Sequence, residues 1–157
     1  MMMDLVSCKE KFALMDIEYI QVSETHKCMR KLYILTRDGR AELESDFFPC
    51  VRYWDLSDMY KRTFHYCRKH VHKLRYDPVR YSPECSKVGE ILKNFVYRNN
   101  ISLILYKGGT IERDLCEVLC IPSYNMECFT KLEKPGCHDP KKEICSYYDQ
   151  LQKLGYI

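Results

Sequence analysis

Residues 101–119, ISLILYKGGTIERDLCEVL, decide how the rest of the chain is read. Residues 101–106 are apolar, rich in Ile and Leu and of strand length, the pattern of a strand buried in a sheet. Gly108 and Gly109 interrupt the run. Thr110 then stands where a helix N-cap belongs, and Ile111, Leu115, Val118 and Leu119 recur at helical spacing. The stretch predicts a strand that crosses a buried sheet, turns on two glycines and opens a helix. Glu112, Asp114 and Cys116 fall on the first turns of that helix, just beyond the strand end where open α/β sheets keep their ligands.

Upstream, residues 12–22 (FALMDIEYIQV) and 29–36 (MRKLYILT) predict two strands. Asp38-Gly39 predicts a tight hairpin turn, and residues 41–48 (AELESDFF) return as a third strand. Three antiparallel strands result, the first buried and the third at an edge. After Pro49 the period changes. Leu56, Met59, Tyr60, Phe64 and Cys67 predict a helix within residues 55–73, with Asp55 or Ser57 as its N-cap. Residues 76–84 hold two prolines and read as a loop. Val88, Ile91, Leu92, Phe95 and Val96 mark a second helix, stopped at Asn99-Asn100.

Downstream of the central strand and helix, residues 124–129 predict a short fifth strand. Residues 131–142 carry two prolines, a glycine and four lysines and predict an exposed loop. Ile144, Tyr147, Tyr148, Leu151 and Leu154 predict the last amphipathic helix. A meander followed by alternating helices and strands predicts an α/β fold, a mixed sheet with helices on both faces.

At 157 residues and 46% apolar content, a single domain spanning 1–157 is expected. No apolar run approaches the roughly 20 residues that span a bilayer, so no membrane association is expected. The opening MMMDLVSCKEKF lacks a basic segment followed by an apolar one, which predicts an intracellular protein with reduced thiols. Cys8, Cys28, Cys50, Cys67, Cys85, Cys116 and Cys120 then read as ordinary buried groups. The net charge of +3 is small, yet Lys61, Arg62, Arg68, Lys69, Lys73 and Arg75 share one segment with Tyr60, Phe64, Tyr66 and Tyr76. Cations interleaved with aromatics suit phosphates and unstacked bases. Nucleic acid, single-stranded RNA foremost, is the expected partner; a solvated helix face with an aromatic inner stripe is the structural alternative. His65, His70 and His72 lack the spacing of an HExxH site, and no Walker loop or Gly-x-Ser-x-Gly elbow occurs.

Asp16 and Glu18 lie two apart in the first strand, so both side chains leave the same face. An acidic pair in an apolar strand is costly unless it holds a cation or reaches an edge. With this element order, Asp-x-Glu on the first strand resembles the RNase H-like superfamily, and more narrowly the DEDD group of exonucleases. That resemblance implies that Asp16 and Glu18 hold divalent metals, Mg²⁺ or Mn²⁺, for in-line phosphoryl chemistry. It implies Glu112, or Asp114 beside it, as the second acidic motif. Asp149, after Tyr147 and Tyr148, is the acid it implies in the last helix, where the family places a His or Tyr ahead of the acid.

Cys137, His138 and Cys145 have a spacing that zinc sites tolerate. With Glu112 they form a set similar to that of the Maelstrom domain, an exonuclease-like fold of RNA silencing whose acids are largely replaced by zinc ligands. The resemblance implies a structural zinc held by Glu112, Cys137, His138 and Cys145. Cys137 and His138 are adjacent here, unlike that pattern, which leaves Cys128 or Cys116 as alternative partners. Three functions follow as expectations. One is a zinc-pinned, exonuclease-like domain that binds single-stranded RNA. The second is an active metal-dependent 3'-5' exonuclease, and the third a protein-interaction module on the same scaffold.

Overall fold

The computed structural model of the chain describes residues 11–47, 53–70, 87–136 and 139–157. Its centre is a pair of long strands, β1 (Phe12–Gln21) and β2 (Lys27–Thr36), antiparallel with a register shift between Glu18 and Tyr19. The turn after β2 is closed by Asp38, whose Oδ1 accepts from Arg40 N at 3.0 Å and from Thr36 Oγ1 at 2.7 Å. It delivers β3 (Glu42–Asp46) antiparallel to β2 at the sheet edge. On the other side of β1 lie β4 (Leu103–Tyr106) and then β5 (Ser123–Asn125), both parallel to it. The strand order is therefore β3-β2-β1-β4-β5, a five-stranded mixed sheet. As expected, the first strand is interior and the third an edge.

Alternation along β1 sends Phe12 and Leu14 to one face, and Ala13, Met15 and Ile17 to the other. The first face meets the last helix, α4 (Pro140–Lys153), through Ile144, Tyr147 and Leu151. The second meets α2 (Lys87–Arg98) through Val88 and Leu92, and α3 (Thr110–Val118) through Cys116. Helices thus cover both faces. Each fully buried Leu or Ile in these two layers contributes about 1.5–3 kcal/mol. The remaining helix, α1 (Asp58–His70), follows a 3₁₀ turn at Tyr53–Asp55 and packs Phe64 against Ile20, Val22 and Cys28. Among the described residues, no helix is long and apolar enough to cross a membrane.

Five local expectations change. Gly109, not Thr110, is the N-cap of α3; it is already extended, and Thr110 is the first helical residue. The fifth strand is only Ser123–Asn125, because Asn125 caps a 3₁₀ turn, Met126–Cys128, by accepting from Glu127 N. Cys120 is exposed beyond the end of α3 rather than core, and Cys28 is buried but disulfide-bonded rather than a plain thiol. The most consequential change is at α4, which begins four residues before Ile144. Asp139 caps it, Oδ2 accepting from Lys142 N at 3.3 Å, and Pro140 fills the first position, where no donor is needed. The proposed loop at residues 76–84 lies outside the described residues.

Candidate metal centre

β1 outruns its neighbour. Its pairing with β4 ends at Leu14–Leu105, while its pairing with β2 continues to Gln21. Beyond Leu14 the face that carried Phe12 and Leu14 next presents Asp16 and Glu18, and there the apolar floor ends. Two helix starts converge on this point. The glycine turn after β4 (Gly108 has φ +80°) aims α3 so that Glu112 Oε1 accepts the Ile17 amide hydrogen at 3.1 Å. On the α4 side, Asp139 Oδ1 pairs with Lys31 Nζ at 3.3 Å, and Lys31 is the β2 neighbour of Glu18. This bond docks the first turn of α4 over β1 and brings Glu143 above the two strand carboxylates.

The result is a carboxylate cluster. One ligand atom each from Asp16, Glu18 and Glu143 lies within 4.8 Å of the others. Glu112 and Glu143 are each only 3% exposed. Among the described residues, Glu112 Oε2, Asp16 Oδ2 and Glu143 Oε1 are buried without a hydrogen-bond partner. All four side chains line one hollow of about 430 Å³, together with Thr63 of α1, Lys107 and Lys134. Glu112 Oε2 also explains Gly109, because a Cβ there would stand 2.6 Å from that oxygen.

Crowding shows in the protonation of the group. Burial, then the neighbouring Glu143, hold Asp16 far above the ordinary carboxylate range. Burial and Glu143 also push Glu18 up to about 8, against the opposing charge of Lys134. Glu112 is raised as well, chiefly by burial. Without a cation, the cluster must hold protons. Hard carboxylate oxygens at this separation are the donor set that suits Mg²⁺ or Mn²⁺, and a divalent cation relieves the repulsion that protons otherwise relieve.

Asp16, Glu18 and Glu112 therefore line one hollow, and Glu143 joins Asp16 and Glu18 in its tightest group. Glu143 falls between the loop expected at residues 131–142 and Ile144, the first helical position expected, and the exonuclease resemblance pointed to Asp149 instead; the Asp139-Pro140 cap signature was the available signal. Asp149 is exposed on α4 beside Cys145, Lys131 and Lys153. Asp114 is exposed on α3 and paired with Arg113 at 3.4 Å. Neither lines the acidic hollow. Cys145 leaves α4 roughly 200° around from Glu143, with its thiol beside Tyr33, Lys141 and Glu42. Cys116 is buried in the core with its thiol pushed up to about 12 by burial and by the charge of Glu112, and Cys128 is exposed. Cys137 and His138 lie outside the described residues.

The basic segment is partly described. Lys61 lies over the Tyr53 ring at 5.4 Å, and Arg62 and Lys69 are exposed on α1. Arg68 belongs to the same helix, while Lys73 and Arg75 lie outside the described residues. Thr63, next to Arg62, brings α1 to the rim of the acidic hollow. Met59, Tyr66 and Trp54 are exposed on or just before the helix, at 52%, 61% and 67%. No family model matches the chain, and no curated protein matches it in sequence.

Proposed function

We propose that this protein is a divalent-cation-dependent nuclease of the RNase H-like, DEDD-exonuclease type, acting on single-stranded nucleic acid, with RNA as the first substrate to test. The observation that carries the reading is the meeting of Asp16, Glu18 and Glu143 within 4.8 Å, beside the buried, unpartnered Glu112 Oε2. Asp16, Glu18 and Glu143 would hold the cation, and Glu112 would reach a second. Bound there, divalent cations supply an activated water and stabilise the leaving oxygen of a phosphodiester.

The chain's own residues do the positioning. The Ile17 amide holds one oxygen of Glu112 and leaves the other facing the hollow. The Lys31–Asp139 pair sets Glu143 over β1. Thr63 of α1 lines the hollow, and the exposed Arg62 and Lys69 of the same helix would meet a phosphate backbone. With Glu143 as the fourth acid, His138 stands five residues ahead of it in the sequence, the His-then-acid order that the exonuclease resemblance implies for the last motif. A zinc pin through Glu112 and Cys145 has less support, since Cys145 and Glu143 leave different sides of α4 and Glu112 faces Glu143.

The test is calorimetric titration with Mn²⁺ and Mg²⁺, together with hydrolysis of end-labelled single-stranded RNA and DNA, for the wild type and Asp16→Asn. Binding and cleavage that are both lost in the variant support the proposal. Tightly held zinc that survives Asp16→Asn, with no cleavage by either form, would move the assignment to the zinc-pinned nucleic-acid binder.

A further inference from the structure

Lys134 reaches the acidic cluster from outside. Its Nζ stands 3.8 Å from Glu143 Oε1, and its side chain is 53% exposed where that of Glu143 is 4% exposed. It lines the acidic hollow, and it also lines a separate groove on the outer side of α4 with Lys131, Cys145 and Asp149. The second lysine at the hollow, Lys107, is engaged elsewhere, 3.0 Å from Glu127 Oε1.

The backbone that carries Lys134 is held still. Leu132 is buried in the α4-side core. Gln150 of α4 grips Glu133 on both sides, Oε1 accepting its amide hydrogen at 2.7 Å and Nε2 donating to its carbonyl at 2.8 Å. Lys134 therefore projects from an anchored stretch of backbone and lines both hollows.

We propose that Lys134 is the cluster's built-in counter-ion, resting against Glu143 in the metal-free protein and exchanged for a divalent cation when one binds. This rests on the cation reading above, whose independent sign is the buried Glu112 Oε2, which no donor among the described residues satisfies. An ammonium and a divalent cation repel one another and compete for the carboxylate of Glu143. Ion entry thus drives the lysine outward, toward the groove. Lys134 is a positioning residue in this scheme: it holds the carboxylates together without metal and sets the threshold at which metal enters.

Three variants and two readouts test the exchange: Lys134→Met, Lys134→Arg and Lys131→Met, followed by metal-free melting temperature and by Mn²⁺ titration calorimetry. Lys134→Met is expected to melt lower than wild type without metal, yet to bind Mn²⁺ about 5-fold tighter or more. Lys134→Arg and Lys131→Met should stay within about 2-fold of wild type for Mn²⁺. That crossing of lower stability and tighter binding is the signature, since a merely structural lysine lowers stability without tightening anything. Equal tightening by Lys131→Met would reduce the effect to diffuse charge, and unchanged or weaker Mn²⁺ binding in Lys134→Met would overturn the exchange outright. Failure of the cation site itself reads differently: Mn²⁺ then does not bind wild type, or binds Asp16→Asn equally well.

Discussion

Glu112 and Ile17, 95 positions apart in the chain, are joined by a 3.1 Å hydrogen bond from the Ile17 amide to Glu112 Oε1. Ile17 stands between Asp16 and Glu18, so this one bond registers the start of α3 against the acidic part of β1. It also leaves Glu112 Oε2 buried over Gly109, without a hydrogen-bond partner among the described residues.

Gly109→Ala tests that arrangement. The backbone at Gly109 is extended, with φ −60° and ψ 154°, and alanine adopts it freely. The added methyl would meet Glu112 Oε2 at 2.6 Å, and the end of a flexible side chain yields. The variant should fold normally while its Mn²⁺ affinity falls roughly 10-fold, about 1.4 kcal/mol. In a Glu112→Ala background the same substitution should change nothing further, because the two act through the same pair of atoms. Glu112→Ala alone orphans the Ile17 amide and should lower stability by about 1–3 kcal/mol in urea denaturation.

The raised carboxyls give the metal-free protein a definite pH dependence. Asp16 and Glu18 bind more protons folded than unfolded above their ordinary values of 3.8 and 4.5. The stability they contribute is therefore complete below those values and is lost as pH rises, for Glu18 through about 8. Melting temperature in chelator should fall between about pH 5 and about pH 8 and recover with Mn²⁺, which replaces the protons. A combined Asp16→Asn, Glu18→Gln variant should flatten the slope. A wild-type slope of the opposite sign would contradict the crowded-carboxylate account.

His138→Ala separates catalysis from metal binding. Under the proposed nuclease function His138, five residues ahead of Glu143 in the sequence, would serve as the general base; its loss should then reduce hydrolysis by about 10²–10⁴-fold and leave Mn²⁺ affinity unchanged. Loss of a bound zinc from the same variant would instead make His138 a ligand.

Arg62→Glu with Lys69→Glu tests α1. Both side chains are exposed, so melting temperature should hold. Affinity for single-stranded RNA should drop, and the slope of log affinity against log salt should become shallower by roughly 0.7 for each phosphate that the helix no longer neutralises. Unchanged affinity and slope would point away from nucleic acid on this helix and toward the protein-interaction reading.

Much of this was legible in the chain itself. Period and turn chemistry alone placed β1, β2, the Asp38 turn, α2 and the β4–glycine–α3 unit, because each is written in neighbouring residues. The two-residue spacing of Asp16 and Glu18 set both on one face of β1 without any knowledge of what lay above them. Capping chemistry at Asp139-Pro140 was equally local and would have placed the start of α4.

What the sequence by itself determined was thus the α/β order of elements, the shared face of Asp16 and Glu18, and the place of Glu112 just past a buried strand. The tertiary structure alone decided that Glu143, not Asp149, joins them. On α4 the two acids point different ways, and only the packing of Ile144, Tyr147 and Leu151 onto the sheet fixes which side turns inward. A helix's own sequence states which residues share a stripe; the partner surface that buries the stripe decides which carboxylates must live together without water, and there a cation becomes the natural counter-charge.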